Sequence, residues 1–363
     1  VDASPPPRPQ IFVESQYTAG SIFFTWSGED PHSGIETWQY AIGTTRGGTE
    51  LTAGWVTIAE SNKRAIGLIN LPVAHGSSYF ITVRSQNRAG AWSDLGYSKL
   101  IVGDCTPPST PIVDIPGTYL TNKKQIIGLK WQSEDPQSGI AAWRYALTQG
   151  ITEEPCFCEP ILVQVTEMIW NLDNLNLVEG ETYYLAVETQ NSLGNWSETG
   201  WSQPMIVDTI PPKIITEEKE FVTNTETFAI PWEINEAGQV VVTYQRPDGS
   251  KLTETYSVDL GKHFYEAVCP APGLYILSFV ASDLAGNSEE EVVINLRKNA
   301  PPQVTPIFDR QVRKGEPFSL TASAHDPDGE IVSYFWDLGN DVQKEGQKLD
   351  GFAYPELGIY PVV

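Results

Sequence analysis

The groups in this chain with chemistry to offer are 4 histidines, 4 cysteines and 46 carboxylates. Catalysis would need them in set patterns. No Gly-x-Ser-x-Gly elbow, no His-Glu-x-x-His pair and no phosphate-cradling Gly-rich loop with Lys occurs. His32, His75, His263 and His325 are scattered, none with a Cys or second His at ligand spacing, and read as surface histidines. Cys105, Cys156, Cys158 and Cys269 form no zinc pattern, because Cys-x-Cys alone offers two ligands at poor spacing. They are disulfide candidates. Cys105 could bridge to the Cys156-Phe157-Cys158 stretch if the compartment is oxidising, with Cys269 either paired to the remaining Cys or free and buried. Glu29-Asp30 and Glu134-Asp135 open a repeated Glu-Asp-Pro-x-Ser-Gly-Ile segment. The first reading is a tight turn: the aspartate accepts backbone N–H groups, and Gly34 and Gly139 supply positive φ. The second is a share in a calcium site, but two carboxylates fall short of the about six to eight oxygens calcium takes. No catalytic residue and no cofactor-binding residue is assigned, and the chain is read as non-enzymatic.

These residues must be held by some framework, and the chain repeats. Trp26-Ser27-Gly28-Glu29-Asp30-Pro31-His32-Ser33-Gly34-Ile35 returns as Trp131-Gln132-Ser133-Glu134-Asp135-Pro136-Gln137-Ser138-Gly139-Ile140, at an offset of 105. Tyr79, Val83, Gln86, Asn87, Gly90, Trp92 and Ser93 return as Tyr183, Val187, Gln190, Asn191, Gly194, Trp196 and Ser197, at an offset of 104. A period of about 100 residues is too long for a solenoid unit and suits a sandwich module. Proline pairs at Pro5-Pro6, Pro107-Pro108, Pro211-Pro212 and Pro301-Pro302 recur at that spacing and stiffen the connections. The expected modules are residues 1–104, 105–208, 209–298 and 299–363.

Local patterns point to strands throughout. Residues 21–26 are a β-rich run. Trp38, Tyr40 and Ile42 alternate along the next strand, and Tyr79, Ile81 and Val83 along a later one. Asn87-Arg88-Ala89-Gly90 and Asp248-Gly249 mark hairpin turns. A composition of 11 Trp, 15 Tyr, 27 Pro and 30 Gly against 2 Met agrees with an all-β, turn-rich protein. The net charge of −23 argues against a nucleic-acid partner. A hydrophobic share of 40% argues against a disordered acidic tail. No apolar run reaches the about 20 residues of a membrane helix. No leader-like stretch precedes Val1, and residues 358–363 stop inside a strand-like run, so a segment of a longer polypeptide is expected.

The first two modules resemble fibronectin type III modules. The resemblance rests on Trp26 and Trp131, on Tyr40 and Tyr145, and on a Leu eight residues before a Tyr (Leu71/Tyr79, Leu175/Tyr183). It implies a tyrosine hydroxyl tied to the crossover backbone. Trp92-Ser93 and Trp196-Ser197 resemble the Trp-Ser element of some such modules, in which Trp stacks on a strand Arg. Arg84 fits that role, whereas its repeat partner is Glu188, so a second ladder is not expected. Residues 210–298, with Trp232 and the run 272–287, are similar to bacterial immunoglobulin-like domains. Residues 324–339 closely resemble the PKD domain signature, although Pro355-Glu356-Leu357-Gly358 inserts residues into its later part.

The resemblance implies the remaining expectations. Linker aspartates Asp104 and Asp208 are candidate calcium ligands at module junctions; Asp326 and Asp328, in the Asp-x-Asp-Gly loop of the PKD-like module, are read first as turn formers and second as calcium ligands. No cofactor is required, and calcium is the one candidate. The fold class is all-β, with tandem immunoglobulin-like sandwiches arranged as a rod. The implied role is a non-catalytic extracellular or cell-surface scaffold of a prokaryote, contacting other surface proteins or copies of itself. The rival is a spacer or carbohydrate-binding part of a secreted hydrolase. Trp55, Trp170 and Trp201 are read first as packing residues and second as platforms for sugar or protein.

Overall fold

The computed structural model describes residues 2–58, 60–152 and 154–363. Among them there is no helix, and the chain falls into two compact units, Val1–Asp208 and Thr209–Val363. Alternating aromatic and β-branched residues build the strands, because alternation sends every second side chain to one face.

The first unit holds two sandwiches with closely matching strand plans. In the first, Gln10–Val13, Ile22–Ser27 and Ala65–Leu68 form one sheet. The facing sheet runs Tyr17–Thr18, Ile101–Gly103, Ser78–Asn87, Ile35–Gly43, Val56–Ile58. In the second, Ile112–Asp114, Ile126–Gln132 and Glu167–Leu172 face Tyr119–Leu120, Met205–Val207, Thr182–Asn191 and Ile140–Thr148. Phe24, Trp26, Trp38, Ile42, Tyr79 and Ile81 fill the first core. Leu129, Trp131, Trp143, Leu185, Val187 and Met205 fill the second. Each such side chain contributes about 1.5–3 kcal/mol by leaving water. The expected corner forms in both: the Tyr79 hydroxyl accepts the Ala74 N–H at 2.7 Å, and the Tyr183 hydroxyl that of Val178 at 3.2 Å.

One irregularity recurs where it matters. The register of Ile35–Gly43 shifts between Ile35 and Thr37, and that of Ile140–Thr148 between Ile140 and Ala142. Each bulge follows a glycine at positive φ, Gly34 at 74° and Gly139 at 72°. Together they swing the Glu-Asp-Pro turn over the end of its sandwich.

The second unit holds a third sandwich, with Ile214–Ile215, Thr227–Ile234 and Gly261–Val268 against Glu220–Thr223, Val292–Lys298, Gly273–Ser282, Gly238–Gln245 and Lys251–Val258. Its core includes Ile230, Val240, Tyr275, Leu277, Phe279 and Leu296, all buried. Three two-stranded ladders follow: Gln303–Val304 with Ala324–His325, Phe318–Thr321 with Lys348–Phe352, and Phe335–Asp337 with Gln343–Glu345. They close on a small cluster of Leu320, Ala322, Trp336, Leu338 and Leu349.

Candidate functional site

The Glu-Asp-Pro turn and the Asn hairpin turn meet at one pole of each of the first two sandwiches. In the first, Asp30 Oδ1 accepts the N–H groups of His32 at 3.0 Å and Ser33 at 2.8 Å, and its Oδ2 accepts Asn87 Nδ2 at 3.0 Å. The Ser33 N–H, then the Asn87 amide, hold the Asp30 carboxyl down at about 2. Asn87 also donates to Asp2 Oδ2 at 3.2 Å and to the Ser4 carbonyl at 2.9 Å. Asp2 accepts the Ser33 hydroxyl as well, which is the chief reason its carboxyl is lowered. One amide thus bridges two carboxylates, the entering Asp2 and the turn Asp30.

The second sandwich repeats the arrangement with Asp104, the linker aspartate. Asp135 Oδ1 accepts the Gln137, Ser138 and Gly139 N–H groups at 3.1, 2.8 and 3.2 Å, and its Oδ2 accepts Asn191 Nδ2 at 3.1 Å. Asp104 Oδ2 accepts the Ser138 hydroxyl in a short bond and Asn191 Nδ2 at 3.5 Å. Its Oδ1 accepts the Thr106 N–H at 3.3 Å and lies 3.5 Å from His75 Nδ1. The Asp104 N–H, in contrast, donates to the Thr18 carbonyl of the first sandwich at 2.8 Å. Asp104 is fully buried, as are Asn191 and Ser138 nearly so. Its backbone belongs to one module and its carboxylate to the next. Such charge-assisted bonds are the strong ones, and leaving any partner stranded is costly.

The structure sorts the sequence-predicted residues plainly. Asp30 and Asp135 are turn acceptors, while Glu29 and Glu134 face solvent. Asp104 is brought together with Asp135. Among the described residues no third carboxylate, His or Cys joins that pair, or Asp326 and Asp328, within reach of one ion. Asp326 Oδ1 accepts the Asp328 N–H at 3.1 Å, and Asp328 accepts the Ala300 N–H at 3.1 and 3.2 Å. The Asp208 N–H donates to the Leu120 carbonyl at 3.0 Å, the counterpart of the Asp104–Thr18 bond. In the third sandwich Asp283 stands where Asn191 does: its Oδ1 accepts the Asn287 N–H at 2.8 Å, and its carboxylate lies within 4.8 Å of that of Glu236. Sequence reasoning passed over Asn87, Asn191, Ser33 and Ser138 as functional groups, although all four recur at the repeat offset. His75 lies at the surface, as its isolated position implies, and also stands 3.5 Å from Asp104 Oδ1, with the Cys105 N 3.3 Å from its Nδ1.

Two expectations need correction. The second module does carry a cation ladder. Arg84 lies between Trp55 at 4.1 Å and Trp92 at 4.4 Å, and bonds Gln39 Oε1. In the second module the arginine is Arg144, between Trp196 at 4.1 Å and Phe157 at 4.6 Å, and it pairs with Glu188. Gln39 faces Arg84 across the sheet as Arg144 faces Glu188, so the arginine has crossed to the neighbouring strand. Disulfides are the other correction: all four cysteines are unbridged. The Cys105 thiol turns to the Val73 carbonyl at 3.7 Å, whereas the Cys158 N–H and Sγ serve the Tyr145 backbone at 2.9 and 3.5 Å. Cys269 is fully buried beside the Tyr244 hydroxyl, and burial pushes its thiol up. Of the aromatic platforms, Trp55 is taken by Arg84, and Trp170 packs on the second core near Tyr145.

Residues 299–363 match the PKD domain family. No curated protein matches the chain significantly. Among solved structures, the chain is similar to the FN1–FN3 domains of chicken CNTN1, with 17% identity, 81% of this chain and 100% of that one covered, and a TM-score of 0.27. It is also similar to a tetra-tandem repeat in the extending region of a large adhesion protein, with 12% identity, 96% and 91% coverage, and a TM-score of 0.31. The chain is all-β, with three successive β-sandwich modules followed by residues 299–363, which match the PKD domain family.

Proposed function

We propose that this chain is a non-catalytic extracellular segment that spaces and presents other groups, with a junction between its first two modules held by Asp104. The observation that carries this reading is the divided allegiance of Asp104: its N–H completes the first module while its carboxylate completes the second. A freely flexing linker has no use for a fully buried carboxylate. Modules of these families serve in extracellular and surface proteins, and the acidic surface keeps neighbouring modules soluble and apart. Calcium at Asp104, Asp208, Asp326 or Asp328 is the cation alternative to a hydrogen-bonded junction. Limited proteolysis of the full chain tests the reading. Cleavage within residues 103–109 should be slow in the native protein and at least about tenfold faster in Asp104→Ala, since cleavage tracks the open population. Equal cleavage of both proteins would remove the junction role.

A further inference from the structure

We propose that the strand Lys251–Val258 is a self-pairing edge through which two copies of this chain join into one continuous sheet. It is the outermost strand of its sheet and pairs on one side only, with Gly238–Gln245. It runs eight residues without Pro, Gly or register shift. The corresponding edges of the first two modules are blunt: Val56–Ile58 has three residues, and the other is a single bridge between Trp143 and Ile161. A long, regular, uncovered edge is a template for a further strand. At the hairpin mouth the Arg246 N–H donates to the Ser250 carbonyl at 2.9 Å. Alternation from that pair turns the amides of Leu252, Glu254, Tyr256 and Val258 inward and those of Lys251, Thr253, Thr255 and Ser257 outward. No described backbone group bonds to the outward set.

The strand's own side chains choose a second copy as the occupant. In an antiparallel two-fold pairing centred on Thr255, Lys251 faces Asp259, Leu252 faces Val258, Thr253 faces Ser257 and Glu254 faces Tyr256. These are an ion pair, an aliphatic pair, a hydroxyl pair and a carboxylate with a phenol, each favourable across strands. Glu254 already accepts the Tyr256 and Tyr265 hydroxyls at 2.8 and 3.1 Å within one chain, so it is held in place. Centring on Glu254 would set two carboxylates face to face, and centring on Thr253 or Ser257 would part Lys251 from Asp259, so the Thr255 register is the one that forms the ion pair. Pairing also covers Leu252 and Tyr256, which are 43% and 39% exposed. The contact is two-fold, so it closes as a dimer. It uses nothing of the Asp104 junction, and either can fail without the other.

The test uses the full chain with Cys105, Cys156 and Cys158 replaced by Ser. Sedimentation velocity should show a monomer–dimer equilibrium. A Thr255→Cys variant should cross-link on mild oxidation, because directly opposed hydrogen-bonded residues lie about 5.5 Å apart, within disulfide range. A Glu254→Cys variant should cross-link at least about tenfold more slowly, since like residues at that position are staggered. Lys251→Glu should weaken dimerisation about tenfold, and adding Asp259→Lys should restore it. A monomer at every concentration up to about 1 mM would overturn the proposal and leave the edge to a strand of another protein. Cross-linking no faster at 255 than at 254, or a dimer indifferent to Lys251→Glu, would overturn it too.

Discussion

Asp104→Ala is the most informative single change. It removes the acceptor of the Ser138 hydroxyl, of the Thr106 N–H at 3.3 Å and of Asn191 Nδ2 at 3.5 Å. The Ser138 bond dominates, being short and charge-assisted, a kind worth about 1.5–3 kcal/mol. Neither buried donor is wholly stranded, because Ser138 keeps Asp135 Oδ1 at 3.4 Å and Asn191 keeps Asp135 Oδ2 and the Thr106 carbonyl. The expected loss is therefore in the lower part of that range, about 2 kcal/mol. If the first unit unfolds as one body, its midpoint should fall by roughly 4–8 °C in scanning calorimetry. Asp104→Asn, which keeps an acceptor for Ser138, should lose about half as much. Only the first-unit transition should move. A midpoint within about 1 °C of the native protein would refute the reasoning, because a fully buried carboxylate that holds two modules cannot be removed without cost.

The crossed arginine makes a sharper test of the ladder. Arg144→Gln alone should cost about 1–2 kcal/mol, and Arg144→Gln with Glu188→Arg, which copies the Gln39–Arg84 arrangement, should recover most of it in urea titrations. Acid should act through Asp30, whose carboxyl is lowered to about 2 from 3.8. A depressed carboxylate contributes stability above its unfolded value, and that contribution drains away as pH falls from about 4 through 2. Tryptophan fluorescence should follow the loss, and Asp30→Asn should remove this pH dependence at the price of lower stability at neutral pH. Thiol titration should count two fast groups, Cys105 and Cys156, a slower Cys158, and Cys269 only on unfolding. Millimolar calcium against chelator should leave the first-unit transition unmoved, because donors already occupy Asp104; a rise there would put a cation in the junction.

Much of the fold was legible because its causes are local and repeated. Alternation of Trp38, Tyr40 and Ile42 and of Tyr79, Ile81 and Val83 reports a buried face directly, and all six are buried. The Leu-to-Tyr spacing likewise foretold the two hydroxyl ties. The site was half legible. Asp104 stood out beside its proline pair, but with a cation as its expected partner. Its donors Ser138 and Asn191 lie 34 and 87 residues away and read locally as turn formers. The second ladder was missed for a related reason. Arg84 and Glu188 do not correspond one for one, because the unit that repeats between the two modules is a pair across two strands. Cysteine pairing was illegible because it depends on where a thiol points, and Cys105 points back at Val73.

In the proposed role, Asp104 fixes the first two modules to each other. Spin labels placed on one exposed strand position of each module, in the full chain, give the distance distribution between them by pulsed electron resonance. A single narrow peak in the native protein that broadens severalfold in Asp104→Ala is the predicted result. A broad distribution in the native protein, or one unchanged by the substitution, would contradict the account.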